Sequence, residues 1–250
     1  AHCCGHHAQL AGVIGAAIAL TNPEVKEKLD GQVVLFAVPA EEYGEIEFKN
    51  KLTAEKKIKY GGGKCELIRI GAFDDIDLDI VHHIGDKDIS VGSNSNNGFV
   101  SKVIRYKGVA AHAAGAPHLG VNALNAASLG LSALAYQRET FRDNDHVRIH
   151  PIITKGGNLV NVVPDEVVIE TLVRAANKDA IADAAAKTDR AFRSGAYAIG
   201  AQCQITTMPG YLPALSAEAN EEVLAAAQIA SQSSKKDYEV VKQDTTAHSG

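Results

Sequence analysis

The 250-residue chain is short of several things, and each shortage excludes a class of protein. Cysteine is scarce. The four, at Cys3, Cys4, Cys65 and Cys203, are too sparse and too unevenly spaced for a disulfide framework, which points to a reducing compartment, the cytoplasm. Long hydrophobic runs are missing as well. The longest, Leu10 to Leu20, is about half the ~20 residues that a bilayer-spanning helix requires, so no membrane association is expected and the run reads as a buried helix. Charge of one sign is not in excess: Lys+Arg 25 against Asp+Glu 30 leaves −5. A nucleic-acid partner is therefore not expected, because phosphate recognition needs a clustered positive field. Internal repeats and low-complexity tracts are absent. What remains, 46% hydrophobic and 22% charged residues, is ordinary globular composition, and the length allows one large or two modest domains.

The order of elements predicts two kinds of layer. Gln32 to Ala40 (QVVLFAVPA) is a continuous apolar run of the kind found in strands buried on both faces, and Leu78 to Ile84 is a second. A charged, helical segment over Tyr43 to Lys59 lies between them. Helix alternating with buried strand implies an α/β layer with a largely parallel sheet, whose sites form at the carboxyl edges of strands. Gly92 to Gly98 is polar and glycine-rich and reads as a linker. Beyond it come a strand over Phe99 to Lys107, a helix over Val121 to Phe141, strands over Val147 to Thr154 and Val167 to Ala175, a helix over Lys178 to Ile199 and a strand over Gln202 to Met208. That order is βαββαβ, the ferredoxin-like unit. Ser216 to Ser231 adds one more helix. The expected division is residues 1–95 and 210–250 for the α/β part, with 96–209 as the inserted unit.

Three clusters carry the chemistry. His2-Cys3-Cys4-Gly5-His6-His7 places five potential metal ligands in six positions, and the glycine lets one turn aim Cys4 and His6 at the same ion. Sulfur with imidazole favours zinc or a similar transition metal; a His-rich tail is the bland alternative. Glu41-Glu42 follows an apolar strand candidate, where one carboxylate can ligate a metal while its neighbour serves as general base; two first-turn acids of a helix are the alternative. His82-His83 closes the other apolar run, as ligands or as core histidines. Gly61-Gly62-Gly63-Lys64 lacks the spacing and the following Ser/Thr of a phosphate loop.

Together the CCGHH segment, the PAEE after an apolar run, FDDIDLDIVHH and AAHAA…GVNALNAA resemble the metal-dependent aminoacylase and N-acyl-amino-acid amidohydrolase family, which includes aminobenzoyl-glutamate hydrolases, auxin-conjugate hydrolases and related dipeptidases. The resemblance implies an α/β catalytic domain interrupted by a ferredoxin-like lid that also dimerises. By position it makes Cys4, His6 and Glu42 metal ligands and Glu41 the general base. The ligand His falls eight residues after an Asp in this family, so Asp75 selects His83 over His82. His112 matches the lid histidine that polarises the scissile carbonyl, often in the partner subunit's site. Asn161 and Arg174 match substrate-carboxylate anchors, although a surface arginine on a strand is an equal reading of Arg174. His118, His146 and His150 match nothing and read as surface or structural residues.

The implied reaction is hydrolysis of the amide bond of an acyl-amino acid or dipeptide, with one or two divalent ions, zinc or manganese, activating water and Glu41 moving the proton. Two departures accompany the match. His7 stands where the family usually has Asp or Asn, the place of a bridging carboxylate. The family's last His ligand follows a Ser-Thr-Asp-rich segment, and His248-Ser249-Gly250 looks like the residues just before it. Both ends therefore read as cut, since the chain also opens without an initiator Met, and the alternative is a catalytically impaired metal-binding or dimerisation fragment of the same fold.

Overall fold

A computed structural model describes residues 4–249. His2 and Cys3 of the opening cluster, and Gly250, lie outside them. In chain order the elements are α1 (His6–Leu20), α2 (Pro23–Lys26), α3 (Ile46–Ala54), α4 (Gly63–Arg69), β1 (Ile89–Val91), β2 (Ser95–Asn96), β3 (Gly98–Lys107), α5 (Ala123–Tyr136), β4 (Arg148–Ile149), β5 (Ile152–Lys155), β6 (Glu166–Ala175), α6 (Lys178–Ile199), β7 (Gln202–Pro209), α7 (Glu221–Ser233), β8 (Val240–Lys242) and β9 (His248–Ser249). The result is a mixed α/β architecture.

The central feature is an antiparallel sheet in the order β4-β6-β3-β7, with β5 also on β6. Ile104 of β3 faces Ile169 of β6 on one side and Ile205 of β7 on the other. This is the βαββαβ arrangement, its second strand split into β4 and β5 around His150-Pro151. Proline has no N–H to give to a ladder, so the break falls there. Even-numbered positions of β3 point to one face, where α5 and α6 bury Ile104, Tyr106, Val167, Ile169 and Phe192. The helices approach closely at two glycines: a β-carbon on Gly195 would lie 2.2 Å from the Ala126 carbonyl oxygen. Asn122 and Asn177 cap α5 and α6 with their side chains. Lys102 is buried on this face, its Nζ 2.7 Å from Asp189 and 2.9 Å from the Thr207 hydroxyl.

Odd-numbered positions of β3 face the other way. There Phe99, Val103, Val168 and Met208 pack against Tyr43 and Ile46, which brings α3 over this side. Arg105 pairs with Glu47 of α3 and with Glu166, which also takes Lys155. The rest of the described β structure is two short parallel pairs, β1 with β8 and β2 with β9.

Several expectations fail here. Gln32 to Ala40 is not a strand: Val33, Val34 and Leu35 are 45–51% exposed and the segment joins no ladder among the described residues. Leu78 to Ile84 is likewise irregular and open, with Leu78 at 75%. The Leu10 to Leu20 run does form most of α1, but no residue of that helix is buried. Apolar, β-branched composition measures how much a segment gains from burial, whereas a strand also needs a neighbour for its N–H and C=O groups. Neither segment has one, so the expected large parallel sheet reduces to the two short pairs. The Tyr43 to Lys59 helix shrinks to α3, behind a loop in which Tyr43 and Glu45 have positive φ. The Gly92 to Gly98 linker is tied down by β2 and by bridges from Ser93 to Ala217 and Asn96 to Ala214. The last expected helix starts later, at Glu221, where Asn220 supplies the cap.

Candidate active site

Gly5 precedes α1 with φ of 64°, a left-handed conformation open to glycine at no steric cost, and it turns the chain so that Cys4 and His6 face the same side. The Glu41-Glu42 loop comes to meet them. It is held in unusual backbone, with Ala40, Tyr43 and Glu45 at φ of 55°, 56° and 55°. One ligand atom each from Cys4, His6 and Glu42 lies within 4.8 Å of the others. His6 Nε2 is 3.0 Å from an oxygen of Glu41 and 3.0 Å from one of Glu42.

The second-nitrogen contacts orient both imidazoles. His6 Nδ1 donates to the Gln9 amide oxygen at 2.7 Å, which turns Nε2 toward the two carboxylates. That bond, followed by the bond to Glu42 and the charges of Glu41 and Glu42, raises the His6 pKa above 6.5 against a smaller opposing effect of burial. His83 Nδ1 donates to the Ile84 carbonyl at 2.7 Å, and the ring stands edge-on to His6 at 6.1 Å. The Cys4 thiol contact holds the Glu42 carboxyl below its usual range, with His6 and His83 adding to the effect. His82 points elsewhere, its Nε2 3.0 Å from the Gln9 carbonyl.

The remaining residues singled out by sequence lie on the inserted unit. His112 Nδ1 accepts the N–H groups of Ala114 and Gly115 at 3.2 and 3.0 Å, so its proton sits on Nε2, the exposed donor. Asn161 is its neighbour: the Ala113 N–H donates to the Asn161 carbonyl at 2.9 Å. Arg174 on β6 stands opposite Phe99, with its guanidinium 6.0 Å from that ring. The His112 segment is tied to the strand-like stretch after Asn161 by the His112–Val162 bridge and by the Val163 N–H on the Ala111 carbonyl, whereas Arg174 stands apart on β6. A cavity of about 250 Å³ between α3 and the sheet is lined by Glu47, Lys51, Arg105, Gln204 and Thr206 and by none of the predicted residues.

Sequence reasoning did not single out Gln9, or Tyr211, whose hydroxyl donates to the Glu41 carbonyl at 2.9 Å. Nor did it assign Lys64, whose Nζ is 4.0 Å from Glu41 Oε1, although the GGGK run was a visible signal. His146 and His248, unassigned or passed over, stack at 4.3 Å, and His248 is lowered below 6.5 by burial and then by His146.

The donor set of thiol, imidazole and carboxylate, with a further imidazole beside it, fits a divalent transition metal. Residues 94–198 match the M20 peptidase dimerisation domain. The chain is 30% identical to the human Xaa-Arg dipeptidase over 82% of its own length and 43% of that protein. It is 32% identical to the N-acetyl-L-cysteine deacetylase of Bacillus subtilis, over 69% of this chain and 38% of the relative. The crystal structure of the aminobenzoyl-glutamate utilization protein from Klebsiella pneumoniae shares the fold, with a TM-score of 0.51, 19% identity, and 74% and 47% of the two chains covered. The chain thus spans less than half the length of the curated relatives it matches.

Proposed function

We propose, proceeding from the match of residues 94–198 to the M20 peptidase dimerisation domain and from the likeness to dipeptidases and amidohydrolases, that this chain is the metal-binding and lid portion of a hydrolase acting on the amide bond of an N-acyl or aminoacyl amino acid. The observation that carries the reading is the convergence of Cys4, His6 and Glu42, with Glu41 on the same imidazole nitrogen. In this reading residues 1–95 and 210–250 belong to the catalytic part and 96–209 form the lid, through which two copies associate. The scarcity of cysteine supports a cytoplasmic location; no described helix is long and apolar enough to cross a membrane.

Cys4, His6, Glu42 and His83 hold one or two divalent ions, zinc or manganese. A divalent ion held there would supply Lewis-acid chemistry, polarising an amide carbonyl and lowering the pKa of water. Glu41 takes the proton of the attacking water and returns it to the leaving nitrogen, a role supported by its adjacency in sequence to a ligand and by the His6 contact that the two acids share. The Nε2–H of His112 donates to the carbonyl oxygen as it gains charge. Asn161 and Arg174 bind the free carboxylate of the substrate.

The test is metal content by mass spectrometry together with hydrolysis of a panel of dipeptides and acyl-amino acids by the full-length protein. The expected result is one or two equivalents of metal, lost on Cys4→Ser with His83→Ala. Glu41→Gln should retain metal and lose about 10²–10⁴-fold in turnover. A metal-free protein, or a Glu41→Gln variant of normal activity, overturns the assignment.

A further inference from the structure

Two tyrosines cross between the acid-pair loop and the segment by which the chain leaves the inserted sheet. Tyr43, adjacent to Glu42, is 2% exposed, and its hydroxyl donates to the carbonyl of Pro209 at the end of β7 at 2.7 Å. Tyr211 donates in the opposite direction, to the carbonyl of Glu41 at 2.9 Å. Phe99 completes a triangle of edge-to-face rings with them, at 5.1 Å from Tyr43 and 5.3 Å from Tyr211, the two tyrosines standing 6.2 Å apart. The backbone locks Phe99 to the same segment, since its N–H donates to the Tyr211 carbonyl and its own carbonyl accepts from Gly210.

The Gly61-Gly62-Gly63 run has its physical reason here. A β-carbon on Gly61 would lie 2.5 Å from Tyr43 Cζ, and one on Gly62 would lie 2.3 Å from Tyr211 Cε1. The glycines admit both rings, and the same turn delivers Lys64 to the Glu41 carboxylate.

We infer that Tyr43 and Tyr211 form a reciprocal clasp between the acid-pair loop and the lid exit, and that Tyr211 is a positioning residue for Glu41. The inference rests on the reading of Glu41 as the base. The loop it restrains carries left-handed backbone at Ala40, Tyr43 and Glu45, a conformation that persists in such residues only where the surroundings hold it. The Tyr211 hydroxyl reaches directly onto the Glu41 peptide. Removing it frees the carbonyl while leaving ring packing and every metal ligand in place.

Tyr211→Phe in the full-length protein tests this, with Glu41→Gln run in parallel. Turnover should fall about 10–100-fold with little change in KM, the cost expected of a reacting group displaced by about 1 Å. Metal stoichiometry and melting temperature should stay as in the parent. Independently of activity, amide hydrogen exchange over residues 39–45 should quicken about fivefold, as for one lost hydrogen bond, while exchange in the β3–β6 ladder is unchanged. Unchanged exchange at 39–45 overturns the clasp, and unchanged kcat beside an inactive Glu41→Gln overturns the positioning role alone. If Glu41→Gln remains active, the reading of the base itself falls.

Discussion

The inserted sheet and the segments around α1 both carry large apolar side chains and give them opposite fates. Ile104, Ile169 and Phe192 are fully buried, while Leu10, Ile14 and Ile18 of α1 are 47%, 61% and 69% exposed. The sheet completes its hydrogen bonds among β3 to β7 and closes its own core beneath α5 and α6. The α1 side places its residues by a few polar contacts, such as His6 with Gln9 and His82 with the Gln9 carbonyl. The contrast teaches that a unit can close its own core without carrying the candidate metal ligands, and that those ligand residues depend on side-chain contacts of modest energy each.

The largest effect that would sharpen this contrast is expected at the sheet core. Ile104→Ala should cost about 2–5 kcal/mol in chemical denaturation, as for other buried aliphatic truncations. Gly195→Ala should cost about 1–3 kcal/mol, because its β-carbon meets backbone of α5 that cannot rotate away. On the other side, Glu66 is held at a pKa of about 2 by Arg69 and by the N–H groups of Tyr60 and Lys59. Its folded value lies below the ordinary 4.5, so its stabilisation is present above pH 4.5 and drains away as pH falls toward 2. Unfolding measured across that window should show a flatter acid limb for Glu66→Gln than for the parent. The smallest effect is expected for Ile14→Ala, within about 0.5 kcal/mol. A cost of several kcal/mol there would break the contrast, by showing that the α1 face is covered in solution.

The same contrast explains what could be read from sequence. Strands β3 and β6 were legible because β-branched and aromatic residues recur along each between polar or glycine-bearing ends, and α6 was legible to its ends because Asn177 and Gly200 mark them. Gln32 to Ala40 and Leu78 to Ile84 were misread because apolar runs carry no record of whether a neighbour exists to pair with. In the site, Cys4, His6, Glu41 and Glu42 announce themselves by residue type and adjacency. Tyr43 and Tyr211 do not: each hydroxyl bonds a main-chain carbonyl far away in sequence, a contact that leaves no local pattern. The glycines opposite their rings were the single trace, and they resemble a loop until the rings are seen.

The parallel pairing of β1 with β8, and the bridge from Asn96 to Ala214, bring together the two points where the chain leaves for the βαββαβ unit and comes back. Everything between them is, in architectural terms, a cassette plugged into a single socket. Closing a loop grows costlier only slowly with its length, about 0.6 kcal/mol per doubling, so the socket is nearly indifferent to the size of what it carries. Cassettes of other lengths are therefore tolerable at this junction provided that they keep the Phe99 ring and the end of β7, on which the paired-acid loop rests.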